Sequence, residues 1–197
     1  MIPRSSRPVG VAALVSCLVV LAASSAAAQS QPPGTPPGMP PLPKPGPEHE
    51  LFRHDEGTWD AVVEMAMGPG QPATSRGVET NTIGCGGLCL ITDFKGELMP
   101  GMTFHGHGVT TWDPAKKKYV GSWTDSMSQG LGITEATWDP ATRTVTGWME
   151  GPDMTGQTVR LKSTVEYRGE SRIFTLYGPA PGGGEAPMMK ITYSRRR

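Results

Sequence analysis

A chain of 197 residues with 18 Lys and Arg against 18 Asp and Glu carries no formal net charge at pH 7. Within 48–197, setting aside Arg4, Arg7 and Lys44 leaves 15 basic residues against all 18 acidic ones, so this segment is mildly acidic. Without a basic face, nucleic-acid binding lacks its electrostatic driving force and is excluded, while the segment is long enough for one domain with a real core.

Arg4 and Arg7 precede an apolar run from Val9 to Ala23, and small residues follow as far as Ala26-Ala27-Ala28 before Gln29. That order predicts an export signal over 1–28 and a mature chain starting at Gln29, secreted or periplasmic. The run is shorter than the ~20 residues that span a bilayer, so no transmembrane segment is expected in the mature chain. Leu14-Val15-Ser16-Cys17 resembles a bacterial lipoprotein cleavage box, which makes lipid anchoring at Cys17 the alternative. From Gln29 to Pro47 the chain reads QSQPPGTPPGMPPLPKPGP, a disordered, extended spacer that holds the domain off a membrane or partner.

The domain over 48–197 opens with one helical candidate, GPEHELFRHDEG, whose Leu51 and Phe52 would pack on a sheet. Short runs rich in Val, Thr, Ile, Tyr, Phe and Trp then alternate with Gly, Pro and Asp clusters, an all-β pattern. Strands are predicted near Trp59 to Met67, Thr74 to Thr82, Leu88 to Lys95, Thr103 to Trp112 and Lys118 to Ser126. Five more follow near Leu131 to Trp138, Arg143 to Glu150, Thr158 to Arg168, Ser171 to Gly178 and Met188 to Ser194.

TWDPAKKKYVGSW, from Thr111, returns as TWDPATRTVTGW, from Thr137. Asp bonds its own backbone and Pro presets φ, so each copy is read as a structural device, the turn of a hairpin. With Trp112 opposite Tyr119, Gly108 faces Trp123 and Gly106 faces Asp125, which lays aromatic rings over glycines on one face. His105, His107, Val109, Ser122, Thr124 and Ser126 then share the other face, and a one-residue slip would exchange the two. Ten meandering strands favour an antiparallel up-and-down barrel, which removes sheet edges. Gly57-Thr58-Trp59 resembles the opening motif of lipocalin-type barrels.

EGTWDAVVEM, SRGVETNTIGCGGLCLITDFKGE, FHGHGVTTWDPAKKKYVGSWTDSMS and the closing MMKITYSRR together resemble the bacterial DUF1579 family of unknown function. The resemblance covers nearly everything from Glu48 onward and implies a β-barrel-like domain, secreted or cytoplasmic, with no assigned activity. Cys85 and Cys89 depart from the apolar or small residues it would place there.

His49 and His54 are five apart, one more than a zinc-binding helix requires, so HELFRH is read as a solvated helical turn. His105 and His107 share one face of a strand at a spacing that metals accept, with Asp93 or Asp125 as a nearby carboxylate; a hydrogen-bonded surface pair is the plainer reading. Cys85 and Cys89 would stand ~13 Å apart in extended strand, whereas a disulfide needs roughly 4.4 to 6.8 Å. They bridge only if Gly86-Gly87 folds into a tight turn. Nine methionines from Met65 to Met189 offer a soft metal surface or an adaptable apolar pocket, with core filler the plainer reading of most. The domain contains no nucleophile elbow, phosphate loop or dinucleotide fingerprint, and no cofactor is implied.

The leading functional reading is a non-enzymatic barrel that binds a small apolar ligand, with Trp123, Phe94, Met65 and Tyr119 lining the interior. Asp125, His107 and Glu135 are the polar candidates for orienting that ligand. A cryptic enzyme, or a metal- or haem-binding barrel, using His107 with Asp125 or Asp93, is the second reading, and a tethered protein-interaction module the third. Closure requires the first strand to pair with the last. That pairing would set Arg195 over Trp59 and leave Arg196 and Arg197 in solvent.

Overall fold

The computed structural model describes residues 38–197 apart from Met67, Pro69 and Pro181. The expected export signal, Cys17 and residues 29–37 of the proline-rich segment lie outside the described residues. The chain divides into two units, Met1–Leu42 and Pro43–Arg197. In the first, Gly38 turns with φ of 90° and Met39 and Leu42 are exposed. The second is a barrel preceded by a 3-10 turn, Pro47–His49, and one helix, α1 (Glu50–Asp55).

Ten strands follow in chain order: β1 (Gly57–Met65), β2 (Ala73–Gly84), β3 (Cys89–Met99), β4 (Met102–Asp113) and β5 (Lys118–Asp125), then β6 (Gly132–Asp139), β7 (Thr144–Pro152), β8 (Thr158–Arg168), β9 (Ser171–Pro179) and β10 (Glu185–Arg195). Each pairs antiparallel with its chain neighbours, and β1 pairs with β10 from Trp59 opposite Arg195 to Met65 opposite Met189, so the sheet closes. Strand-by-strand alternation of buried and exposed residues decides which side chains face in. On β1 these are Trp59, Ala61 and Val63, all buried, and register carries the parity around the barrel.

Both copies of the repeat form the same turn. Asp113 Oδ1 accepts from the amides of Ala115 and Lys116, and Asp139 Oδ1 accepts from that of Ala141. Each turn ends on a non-glycine residue at φ of 53°, Lys117 in one and Arg143 in the other. Trp112 pairs with Tyr119, Gly108 with Trp123 and Gly106 with Asp125, the register expected from the sequence. The copies then diverge. Trp123 stands two positions after Gly121 but Trp148 directly follows Gly147, so Trp123 faces in and Trp148 faces out, 37% exposed under the Arg160 guanidinium.

The core is concentrated on one side and at one end. Trp59, Ala61, Val63, Phe94, Ile191 and Tyr193 form a buried cluster, and Phe52 of α1 packs with Leu90 and Tyr119 at the barrel end that the helix covers. The helical turn is therefore a plug, not the solvated turn read from its histidine spacing. His49 is buried and accepts from the Gly46 amide at Nδ1, and His54 sits edge-on to Tyr167. No described helix is long and apolar enough to cross a membrane.

Candidate ligand-binding lumen

At the plugged end, the lumen floor is a buried polar cluster that no sequence motif marked. Arg172, on β9, lies 4.6 Å from the ring centroids of both Trp59 and Tyr193. Its guanidinium pairs with Asp55 at 3.0 Å and with Glu79. Tyr167 donates its hydroxyl to Asp55, and Asn81 donates to Glu79 and to the Asp55 carbonyl, which also accepts from the Trp59 indole. Burial pushes the Asp55 carboxyl up despite the opposing pull of Arg172. Burial also works against the Arg172 charge, but Glu79 and Asp55 outweigh it and hold its pKa above the usual guanidinium range. Burial raises the Tyr167 and Tyr193 hydroxyls in the same way. The cluster ties α1 to β2, β8, β9 and β10, with one guanidinium set between two carboxylates.

Above the floor, the two halves of the inner wall differ. The β10–β1–β2–β3 half carries the packed core. On β6 to β9 the inward residues Thr134, Ala136, Val145, Leu161, Ser163, Val165, Phe174 and Leu176 stay partly exposed although they face into the barrel. Large rings lie flat on the wall: a β-carbon on Gly106 would collide with the Trp123 ring, and one on Gly77 with the Phe94 ring. Asp125 accepts from Trp123 Nε1 at 3.0 Å through Oδ2, while its Oδ1 accepts from the amides of Met127 and Ser128. This carboxylate thus fixes both the indole and the turn leaving β5. Met65 and Met189 face each other across the β1–β10 pair, toward the end opposite the plug.

Three of the residues expected to meet a ligand stand elsewhere. Tyr119 is buried beneath α1, where its hydroxyl donates to the Glu48 carbonyl at 2.7 Å; burial, with the nearby Glu48 charge, pushes that hydroxyl up to about 12. Glu135 faces outward, held by Lys116 at 2.6 Å and Lys118 at 2.9 Å, which bring its carboxyl down to about 2. It lines an outer groove of about 620 Å³ with Trp148, Ile133 and Arg160. His107 also faces outward, with its Nδ1 2.8 Å from Asp93 Oδ1 and both side chains about half exposed. Asp125 belongs to the opposite parity, so the pairing of His107 is with Asp93 and not with Asp125. No group of three potential metal ligands occurs among the described residues.

Cys85 and Cys89 are bridged, with Cα atoms 5.5 Å apart. The intervening 3-10 turn places Cys85, Gly86 and Gly87 at positive φ, the tight turn such a bond requires.

The family model described as "Protein of unknown function (DUF1579)" matches residues 44–195. Among solved structures, the crystal structure of Rv2717c from M. tuberculosis is similar with a TM-score of 0.58 and 11% sequence identity, over 77% of this chain and 99% of that one. That likeness concerns the fold alone. No curated protein sequence matches the chain.

Proposed function

Because this chain belongs to the DUF1579 family of proteins of unknown function, its role has to be read from its own site, and we propose that it is a non-enzymatic domain binding a small apolar ligand in the barrel lumen. The observation that carries this reading is the partly exposed inner wall on β6 to β9. Inward side chains of a solidly packed barrel would be as buried as Trp59, which is 0% exposed. Small barrels that leave room inside hold one small ligand, enclosed mainly by apolar side chains. Trp123, Phe94, Met65 and Met189 supply aromatic and thioether surface of that kind.

The place of action is outside the cytoplasm, after removal of 1–28 at Gln29. The leader pattern supports this, as does the Cys85–Cys89 bridge, since such bonds persist in oxidising compartments.

Titration with an apolar fluorescent dye tests the binding. The wild type should enhance dye emission saturably. Ser163→Trp, which projects an indole into the lumen, should abolish the enhancement, while Trp148→Ser on the outer wall should leave it intact. Loss in Trp148→Ser with retention in Ser163→Trp would move the site outside and refute the lumen reading.

A second reading, proton-transfer chemistry at the outer wall, is favoured by the 2.8 Å contact between His107 and Asp93. A carboxylate on Nδ1 orients the ring and presents Nε2 as a base. Both groups are open to solvent, however, and no hydroxyl of the described residues bonds to His107. An activity that survives His107→Gln would discard it.

A further inference from the structure

The lumen reading leaves open what chemistry the ligand carries, and one place on the inner wall bears on it. Gly121 of β5 lies between Thr110 of β4 and Thr134 of β6 in one cross-strand row, and all three face inward and are partly exposed. A β-carbon at Gly121 would stand 2.9 Å from Thr134 Oγ1 and 3.1 Å from Thr110 Oγ1, so both hydroxyls lean over the glycine from opposite sides. Neither hydroxyl has a hydrogen-bond partner among the described residues. Of the other hydroxyls on the inner wall, Ser75 donates to the Glu97 carbonyl and Thr92 to Asn81, while Ser163 lies between Gly147 and Leu176 with no second hydroxyl beside it in its row.

Charge narrows the class further. Among the described residues the inward-facing cations are Arg172 and Arg195. Arg172 is consumed by Asp55 and Glu79, and Arg195 by the carbonyls of Glu56 and His54. An anionic head group would therefore enter an apolar lumen without a counter-charge, which burial strongly opposes. Inward Asp125 keeps its charge, since the Trp123 indole and the amides of its turn are neutral donors, but it lies four residues along β5 from Gly121, roughly 13 Å, too far to pair with a cation seated there.

We propose that the lumen ligand is a neutral apolar molecule bearing one hydroxyl or carbonyl oxygen, and that this oxygen binds over Gly121 between the Thr110 and Thr134 hydroxyls. Each threonine offers one donor and two acceptor positions, so the notch serves an alcohol and a ketone alike. This rests on the lumen reading above.

Binding of n-octane, n-octanol and octanoate, followed by intrinsic tryptophan fluorescence, tests the assignment. The wild type should bind octanol about tenfold more tightly than octane, the gain from two neutral hydrogen bonds, and octanoate more weakly than octanol. Thr110→Val with Thr134→Val keeps side-chain volume and removes both hydroxyls; octanol should fall to the level of octane, whose own affinity should not change. Thr134→Ser should keep most of the octanol preference, which separates a lost hydroxyl from a disturbed wall. Octanoate binding as tightly as octanol, or an octanol preference untouched in the double variant, would overturn the assignment while leaving a lumen site standing. Failure of all three probes to bind would overturn the lumen reading and this inference together.

Discussion

The guanidinium of Arg195 lies 4.3 Å from the ring centroid of Trp59, and that of Arg172 lies 4.6 Å from the same ring, so the first indole of the barrel is gripped by two cations from strands β9 and β10. Arg195 also donates to the carbonyls of Glu56 and His54, which fastens the last strand to the end of α1. Arg196 does not trail into solvent as the sequence led us to expect. Its amide donates to the Thr58 carbonyl and its side chain pairs with Asp60, while Arg197 is almost fully exposed.

Arg195→Ala should destabilise the barrel by about 1–3 kcal/mol, from the lost cation–π contact and the unpaired carbonyls. Removing 196–197 should shift a urea transition only slightly, because the Asp60 pair is solvated. Removing 191–197 should abolish the cooperative transition by opening the β1–β10 seam. A cooperative, unshifted melt of that longer truncation would show that closure through the termini does not stabilise the fold.

Arg172→Met should cost about 3–5 kcal/mol, since it strands the Asp55 and Glu79 carboxylates in a buried site. Adding Asp55→Asn and Glu79→Gln should restore part of the loss. If the triple variant is no more stable than the single one in chemical denaturation, the cost lies in packing between Trp59 and Tyr193 instead of in charge.

Asp55 gives stability an acid-side dependence. Its folded pKa is raised above 3.8, chiefly by burial, so the folded state holds this proton more tightly than the unfolded chain. The resulting stabilisation is complete below pH ~3.8 and is lost as pH rises through the raised folded value. The stability of wild type relative to Asp55→Asn should therefore fall as pH rises above 4. Urea titrations of both proteins at a series of pH values would check this, and a difference that grows with pH would reverse the sign.

Removing the bridge with Cys85→Ser and Cys89→Ser should cost about 2 kcal/mol by the loop-closure argument. The loss should appear in thermal melts of both the double variant and the reduced wild type. Equal melting temperatures for oxidised and reduced protein would mean that Gly86 and Gly87 hold the turn unaided.

Strand order, hairpin turns and closure were legible because they depend on local chemistry: Asp113 and Asp139 in their turns, Gly106 and Gly108 beneath one ring, and ten runs of β-formers. The floor cluster was not legible. Asp55, Glu79 and Arg172 come from α1, β2 and β9, and no spacing in the chain announces that they meet. Parity misled in a different way. Glu135 stands one residue from the inward Ala136, so a correct strand still sends a candidate to the wrong side. Tyr119 does face inward, but at the height of the plug, which depends on where α1 docks.

Native mass spectrometry of the protein purified from its own host tests the central claim most directly. The account predicts a protein carrying a small, neutral, apolar molecule in defined stoichiometry, absent from the same preparation of Ser163→Trp. A wild type that flies at its bare mass and stays bare after incubation with n-octanol would contradict it.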